Sequence, residues 1–141
     1  MSVNMKGFEK LTRKLNRLHR YAARRAMRKA TRAGTTVLLK AVRQATPVDE
    51  GVLRKAQTSK ITGRKMNITG IVGADVAKLE ADERRPSNID WLVEEGHVAP
   101  DGTFVPPAGY MKRASAEAMP RAEAAYRAKL AEEIEREAAK A

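Results

Sequence analysis

The chain has 141 residues, of which 43% are hydrophobic and 32% charged, so we predict one globular domain over residues 1–141. The absence of cysteine excludes disulfides, thiolate zinc sites and cysteine nucleophiles. The net charge of +11 is uneven: residues 1–65 carry 18 basic and 3 acidic side chains, whereas residues 66–141 carry 10 basic and 14 acidic ones. The first part therefore suits a polyanion or the acidic part of a second copy, bound head to tail.

The first predicted element is a long basic helix over residues 8–46. Its apolar positions recur every three or four residues, which is the helical period. These positions are Phe8, Leu11, Leu15, Leu18, Ala22, Ala26, Ala30, Ala33, Val37, Ala41 and Ala45. A break between Asn16 and His19 would divide the helix, and Pro47 ends it because proline disfavours a helical residue before it.

The remaining faces of this helix are strongly basic, and acidic residues four positions away are nearly absent. Such charges repel one another unless something external, or another subunit, offsets them. A solvated helix face is the alternative interpretation. The basic side chains are Arg13, Lys14, Arg17, Arg20, Arg24, Arg25, Arg28, Lys29 and Arg32.

A β-hairpin is predicted within residues 52–76, after a turn over residues 49–51. One strand runs from Leu53 to Thr62 and the other from Met66 to Gly73, where Ile68 and Val72 follow the alternation of a half-buried strand. The glycine-containing segment 63–65 would join them.

The rest of the chain is predicted as loop, short element and helix. Residues 77–88 form an exposed loop, and residues 89–107 a short element around Trp91 followed by a loop rich in proline and glycine. A second helical pattern covers residues 108–141, with a kink near Pro120. The predicted fold class is α+β: a long N-terminal basic helix and a C-terminal helix packed on a small antiparallel, hairpin-based sheet.

Motifs that would carry chemistry are missing from the sequence. There is no phosphate-binding loop, no dinucleotide glycine pattern and no serine-nucleophile motif. His97 stands near Glu94 and Glu95, but this spacing is common by chance, and His19 is far away. We predict no enzyme activity, no catalytic residue, no metal site and no cofactor.

Nucleic-acid binding is the function that the charge alone supports. Few aromatic residues interleave the basic ones, so contacts would be with phosphates and independent of sequence. The N-terminus lacks the apolar core of a signal peptide, and no apolar run is long enough to span a membrane. We therefore expect synthesis in a cytoplasm and no membrane partner.

The order of three short motifs resembles a family of bacteriophage proteins, the head-tail joining, neck and tail-completion proteins of long-tailed phages. The first is ATPVDEGVLRKA after the basic helix, the second is IDWLVEEGH, and the third is PAGYMKRASAEA before the last helix. Together they cover most of the chain. The residues that carry the resemblance are Pro47, Asp49, Gly51, Leu53, Arg54, Trp91, Glu94, Gly96, Tyr110 and Ala114.

The resemblance implies a virion structural protein that does no chemistry. It would form a homo-oligomeric ring of about six copies around the DNA channel. Its partners would be other neck and tail proteins: a portal-side adaptor, a tail terminator or the tail tube. It would reside at the neck of the virion, and in the host cytoplasm during assembly.

The resemblance implies roles for two of the motif residues and for the basic cluster of the first helix. Asp49 would cap the turn, and Arg54 would pair with a carboxylate such as Glu94. The arginine cluster would face either the acidic part of a neighbouring subunit or the genomic DNA in the channel, and both are open here. That cluster is Arg24, Arg25, Arg28, Lys29 and Arg32.

Overall fold

The computed structural model describes residues 9–48, 51–81 and 88–140, and it confirms the α+β fold class. Long helices lie beside a small antiparallel sheet. The elements are α1 (Glu9–Arg17), α2 (Arg20–Ala45), α3 (Val52–Ala56), β1 (Gln57–Arg64), β2 (Asn67–Ala74), α4 (Val76–Glu80), α5 (Ile89–Glu95), β3 (His97–Val98), β4 (Phe104–Val105) and α6 (Tyr110–Ala138).

The basic helix is interrupted at His19, within the segment where a break was considered. His19 has extended backbone angles, φ −56° and ψ 138°, and its Nδ1 accepts a hydrogen bond from the Tyr21 amide at the start of α2. An acceptor at this position satisfies one of the free amides of a helix N-terminus. The chain therefore forms a short α1 and a separate α2, and Phe8 lies outside the described residues.

Helix α2 ends where Pro47 requires it to end. Thr46 has ψ 125°, the extended conformation that a residue before proline prefers. Its buried hydroxyl donates a 2.6 Å hydrogen bond to the Val42 carbonyl, which satisfies part of the helix end.

The segment predicted to begin the first strand is helical instead. Gly51 adopts φ +77°, a left-handed conformation that favours glycine, and one turn of helix, α3, follows it. This turn buries Leu53 and Ala56 in the core. The strand begins at Gln57, because the α3 positions face the core at helical rather than alternating spacing.

The hairpin of β1 and β2 lies against α2. Its register pairs Gln57 with Ala74 and Arg64 with Asn67, so residues 65 and 66 form the turn. Gly70 makes the closest approach: a Cβ there would stand 2.0 Å from Cγ2 of Thr35 on α2. Glycine at this position thus lets the sheet approach the helix.

The segment predicted as an exposed loop begins with a helix. Asp75 caps α4 by accepting a 3.1 Å hydrogen bond from the Ala77 amide, and Leu79 is buried against the core. The prediction of a loop was therefore wrong for residues 77–80, where the single apolar anchor Leu79 outweighs the polar composition. Residues 82–87 of that predicted loop lie outside the described residues.

Two long helices and the hairpin form the body of the molecule. Helix α2 packs chiefly against α6, and Gly34 lets the backbones approach: a Cβ there would lie 3.1 Å from the Ala122 carbonyl oxygen. Small buried side chains face each other along this contact. Helix α6 continues past Pro120, which is exposed.

The buried apolar residues form two clusters at opposite ends of the α2–α6 contact. One cluster joins Val42 of α2 to the short helices α3 and α4. The other joins Ala26 and Ala30 of α2 to Leu130 and Ile134 of α6. Leucines of α1 cover the second cluster. The first holds the three motif segments together, and the second places the acidic end of α6 beside the basic helix.

Candidate functional site

The basic residues of α2 from Arg20 to Arg32 divide into two groups, and the first is neutralised within the chain. Arg25 Nη2 lies 2.7 Å from Glu137 Oε1, and Lys29 Nζ lies 2.8 Å from Glu133 Oε2. Both acids belong to α6. The attraction predicted between the basic helix of one subunit and the acidic part of another thus occurs, for these residues, inside one chain. We call Arg25 and Lys29 the paired row.

Glu133 is the centre of this ionic contact. Its side chain is fully buried, and besides Lys29 it contacts Lys129 at 3.3 Å and Arg136 at 3.2 Å. The hydrogen bond from Lys29 holds the pKa of Glu133 below its ordinary value of 4.5, against the opposing effect of burial. A buried carboxylate needs such partners, because an unpaired buried charge is strongly unfavourable.

The flanking acids of α6 are engaged in the same way. Glu137 is mostly buried, and its pKa is lowered because the effect of burial is outweighed by Arg25 and Lys140. Glu135 pairs with Lys14 of α1 at 2.8 Å, and this hydrogen bond lowers its pKa. The acidic end of α6 is therefore used to hold α1 and α2.

The second group of basic residues is exposed at Arg20 and Arg32 and partly exposed at Arg24 and Arg28. Arg20, Arg24, Arg28 and Arg32 stand four residues apart on α2, so they follow one face of the helix. We call these four the open row. Within the described part of the chain, the guanidinium groups of Arg20, Arg28 and Arg32 have neither an ion-pair nor a hydrogen-bond partner.

Two grooves adjoin the open row. A groove of about 340 Å³ is lined by Arg24, Arg28 and Arg32 of the open row, by the paired row and by Tyr21. A second, of about 710 Å³, is lined by Arg20 and Arg24 together with His19, Tyr21, Lys65 and Met66. Lys65 comes from the β1–β2 turn, a contribution that the sequence analysis missed because the turn is distant from α2 in sequence.

Arg24 connects the open row to the hairpin. Its Nη2 donates a 3.2 Å hydrogen bond to the Gly63 carbonyl, while its Nε is buried and has no hydrogen-bond partner among the described groups. This residue lines both grooves. Arg24 therefore has a structural contact and also unused donor capacity.

The predicted pairing of Arg54 with Glu94 is wrong, because each residue has a different partner. Arg54 Nη2 lies 3.4 Å from the Thr46 carbonyl oxygen, next to Pro47. The Glu94 carboxylate accepts hydrogen bonds of 3.0 Å from the amides of Met111 and Lys112, in the first turn of α6. Negative charge is favourable at a helix N-terminus, so Glu94 acts as its cap.

The other motif residues have local roles where the structure describes them. Gly96 adopts φ +78°, and a Cβ there would lie 2.8 Å from the Pro107 nitrogen, so the chain can cross tightly between α5 and β4. Ala114 is buried, whereas Trp91 is 61% exposed. Asp49, the proposed cap of the first turn, lies outside the described residues.

Tyr110 belongs to a buried polar network that the sequence did not reveal. Its hydroxyl donates to Asp90, and Gln57 Nε2 donates to both, at 3.0 Å each. Burial and the neighbouring Asp90 carboxylate raise the pKa of the Tyr110 hydroxyl above its ordinary value. This network attaches α5 to β1 and α6, and only the tertiary structure brings its three members together.

Neither a metal site nor a membrane span is found among the described residues. No group of three or more His, Asp or Glu side chains among them is arranged to hold a metal ion. None of the helices formed by these segments is long and apolar enough to cross a membrane.

Comparison with known proteins identifies the family. A family model described as "Bacteriophage HK97-gp10, putative tail-component" matches residues 9–80, which is half of the chain. The match runs from α1 through α4 and includes the open row, the paired row and the first motif. No curated protein and no solved structure matches the chain. The chain belongs to the HK97-gp10-like family of bacteriophage tail components.

Proposed function

We propose that this chain is a structural protein of the phage neck that joins head to tail or completes the tail end. It does so as a closed ring of about six copies around the DNA channel. The observation that carries this proposal is the family match over residues 9–80. Its expected neighbours are a portal-side adaptor, a tail terminator or the tail tube, and no catalytic step is part of the role.

Exposed apolar side chains support a role in assembly. Val98 and Phe104 are paired on the β3–β4 hairpin and are 66% and 65% exposed, and Trp91 on the preceding helix is 61% exposed. Large apolar side chains in water favour association with another protein surface. A ring with neighbours above and below offers such a surface.

The mass of the purified protein tests the proposal. Light scattering coupled to size exclusion, after nuclease treatment and at low and high salt, should give a closed oligomer near six or twelve copies. A monomer at both salts should form a ring when the neck or tail partner is added. A chain that stays monomeric with those partners present would contradict the proposed function.

The charge-reversal test must avoid residues that hold the fold. Arg25 is bound to Glu137 and Arg24 to the hairpin, so reversing either would disturb the monomer. Arg28→Glu with Arg32→Glu changes only the open row. Loss of the ring in this variant, without DNA present, would assign the row to a subunit interface.

A second candidate function is sequence-independent binding of nucleic acid through the basic helix. The open row favours it, because Arg20, Arg28 and Arg32 have no partner within the described residues. A monomer or dimer that binds DNA strongly and forms no ring with neck partners would support this alternative. A defined ring with weak, salt-sensitive DNA affinity supports the neck role.

A further inference from the structure

We infer that the open row of α2, together with Lys65, is a binding surface for the phosphate backbone of duplex DNA. The inference rests on the proposed neck function for its biological ligand, which is the genome in the channel. It separates a paired row that stabilises the fold from an open row in which Arg24 also contacts the hairpin, whereas Arg20, Arg28 and Arg32 have no partner among the described residues.

The arrangement of charge is the first argument. Arg20 to Arg32 spans 12 residues, or about 18 Å of helix, with a guanidinium at every helical turn. One DNA strand presents a phosphate about every 3.4 Å along its axis, so this length is matched by roughly five phosphates. A linear row of cations suits a linear polyanion.

The contribution of two separate elements is the second argument. Lys65 of the hairpin turn lines the same groove as Arg20 and Arg24 of α2. Among the residues that the structure describes, no acidic side chain lines either groove beside the open row. A phosphate in the larger groove would thus meet cations from α2 and from the hairpin.

The third argument is that the acidic end of α6 in a second copy of the chain is already occupied by ion pairs. Glu133, Glu135 and Glu137 are already paired within their own chain. Another subunit could offer these three acids only by breaking the contacts of its own α6 with α1 and α2. DNA phosphates carry no such cost, so DNA is a more favourable occupant than the acidic end of a neighbouring α6.

DNA affinity measured against salt tests the inference. The variant Arg28→Gln/Arg32→Gln is compared with the matched control Lys112→Gln/Arg121→Gln, which removes two exposed charges from α6. Binding of each to a short labelled duplex of arbitrary sequence is followed by fluorescence anisotropy. Melting curves by circular dichroism should show both variants folded, because Arg28 and Arg32 have no partner in the described structure.

The wild-type protein should lose about 12-fold more affinity than Arg28→Gln/Arg32→Gln when salt rises from about 50 to 200 mM, because two fewer phosphates are neutralised. The control variant should keep the wild-type dependence on salt. Lys65→Gln added to the open-row variant should weaken binding further.

Three results would overturn the inference. The first is that the wild-type protein binds no duplex at low salt, and the second is that the two double variants lose affinity equally. The third is that the open-row variant loses self-association while keeping its DNA affinity. The light-scattering mass of the same variants separates this inference from the neck function. If Arg28→Gln/Arg32→Gln forms the ring but keeps the wild-type DNA affinity, only the inference is contradicted. If the wild type and every variant fail to form a ring with the neck or tail partner present, only the proposed function is contradicted.

Discussion

At the scale of single residues, Glu133 stabilises the packing of the basic helix α2 against α6. The side chain is buried and is surrounded by Lys29, Lys129 and Arg136. Replacing it by glutamine leaves these cations close together without the charge that offsets them. The fold therefore depends on this carboxylate more than on any exposed acid of α6.

The variant Glu133→Gln should lower the free energy of unfolding by about 2 kcal/mol, because a buried, charge-assisted contact is broken from one side. Urea denaturation measures the change. The matched control is Glu132→Gln, since Glu132 is half-exposed and pairs with Lys129 and Arg136 on the surface. The control should change stability by about 0.5 kcal/mol or less. Equal losses in the two variants would contradict the assigned role of Glu133.

Acid should weaken the fold through the same residue. The folded-state pKa of Glu133 lies below 4.5, so the unfolded chain takes up the proton at higher pH than the folded chain. The stability contributed by Glu133 is complete above this pH and is lost as the pH falls through the lower, folded-state value. Urea midpoints measured from neutral pH downward should fall less steeply for Glu133→Gln than for the wild type. A parallel decline would exclude Glu133 as a source of the acid sensitivity.

At the scale of elements, the contact between β2 and α2 depends on the absence of a side chain. Gly70→Ala should destabilise the protein by about 2 kcal/mol, because the new methyl overlaps Thr35 Cγ2 and a well-packed contact must shift. Thermal or urea unfolding measures the loss. Adding Thr35→Ser removes the opposing methyl and should restore part of the stability.

Gly73→Ala provides the control on the same strand. A Cβ at Gly73 meets nothing within 4 Å among the described atoms, so this substitution should be close to neutral. A similar loss at both glycines would point to strand flexibility rather than to the helix contact.

The long helices could be predicted from sequence, whereas the short ones could not. The spacing of small and apolar residues is a local property, and it placed both α2 and α6. Helix α3 has only five residues, too few for a period to emerge, and its Val52 and Leu53 suit a strand as well as a helix. Helix α4 has a single buried residue, Leu79.

The candidate site was predictable in composition but not in arrangement. The cluster Arg24 to Arg32 was evident from charge alone, yet nothing local separates Arg25 and Lys29 from Arg28 and Arg32. Their difference arises from acids that are more than 100 positions away in the chain. The same holds for the network of Gln57, Asp90 and Tyr110, which joins three elements.

At the scale of the whole molecule, Trp91 offers a direct report on assembly. It is the single tryptophan of the chain, and it is largely exposed. Acrylamide should quench the fluorescence of the isolated chain strongly. In the assembled ring with its neck partners, quenching should fall and the emission should shift to the blue, because the exposed apolar side chains become covered.

A tryptophan as accessible in the assembly as in the isolated chain would contradict this prediction. It would show that Trp91 and the β3–β4 hairpin face solvent in the ring. Fluorescence of Trp91→Phe supplies the background from tyrosine for both measurements.

The pairing of α2 with α6 also determines when the chain can fold during translation. Arg25 and Glu137 are 112 positions apart, so a ribosome releases the basic helix long before its acidic partner exists. Until then the alanine face of α2 has no surface to cover it, and its arginines repel one another. We expect the tertiary structure to form only after α6 has been synthesised. A chain halted before α6 would present an unneutralised basic segment to cellular RNA, which would hold it away from the growing virion.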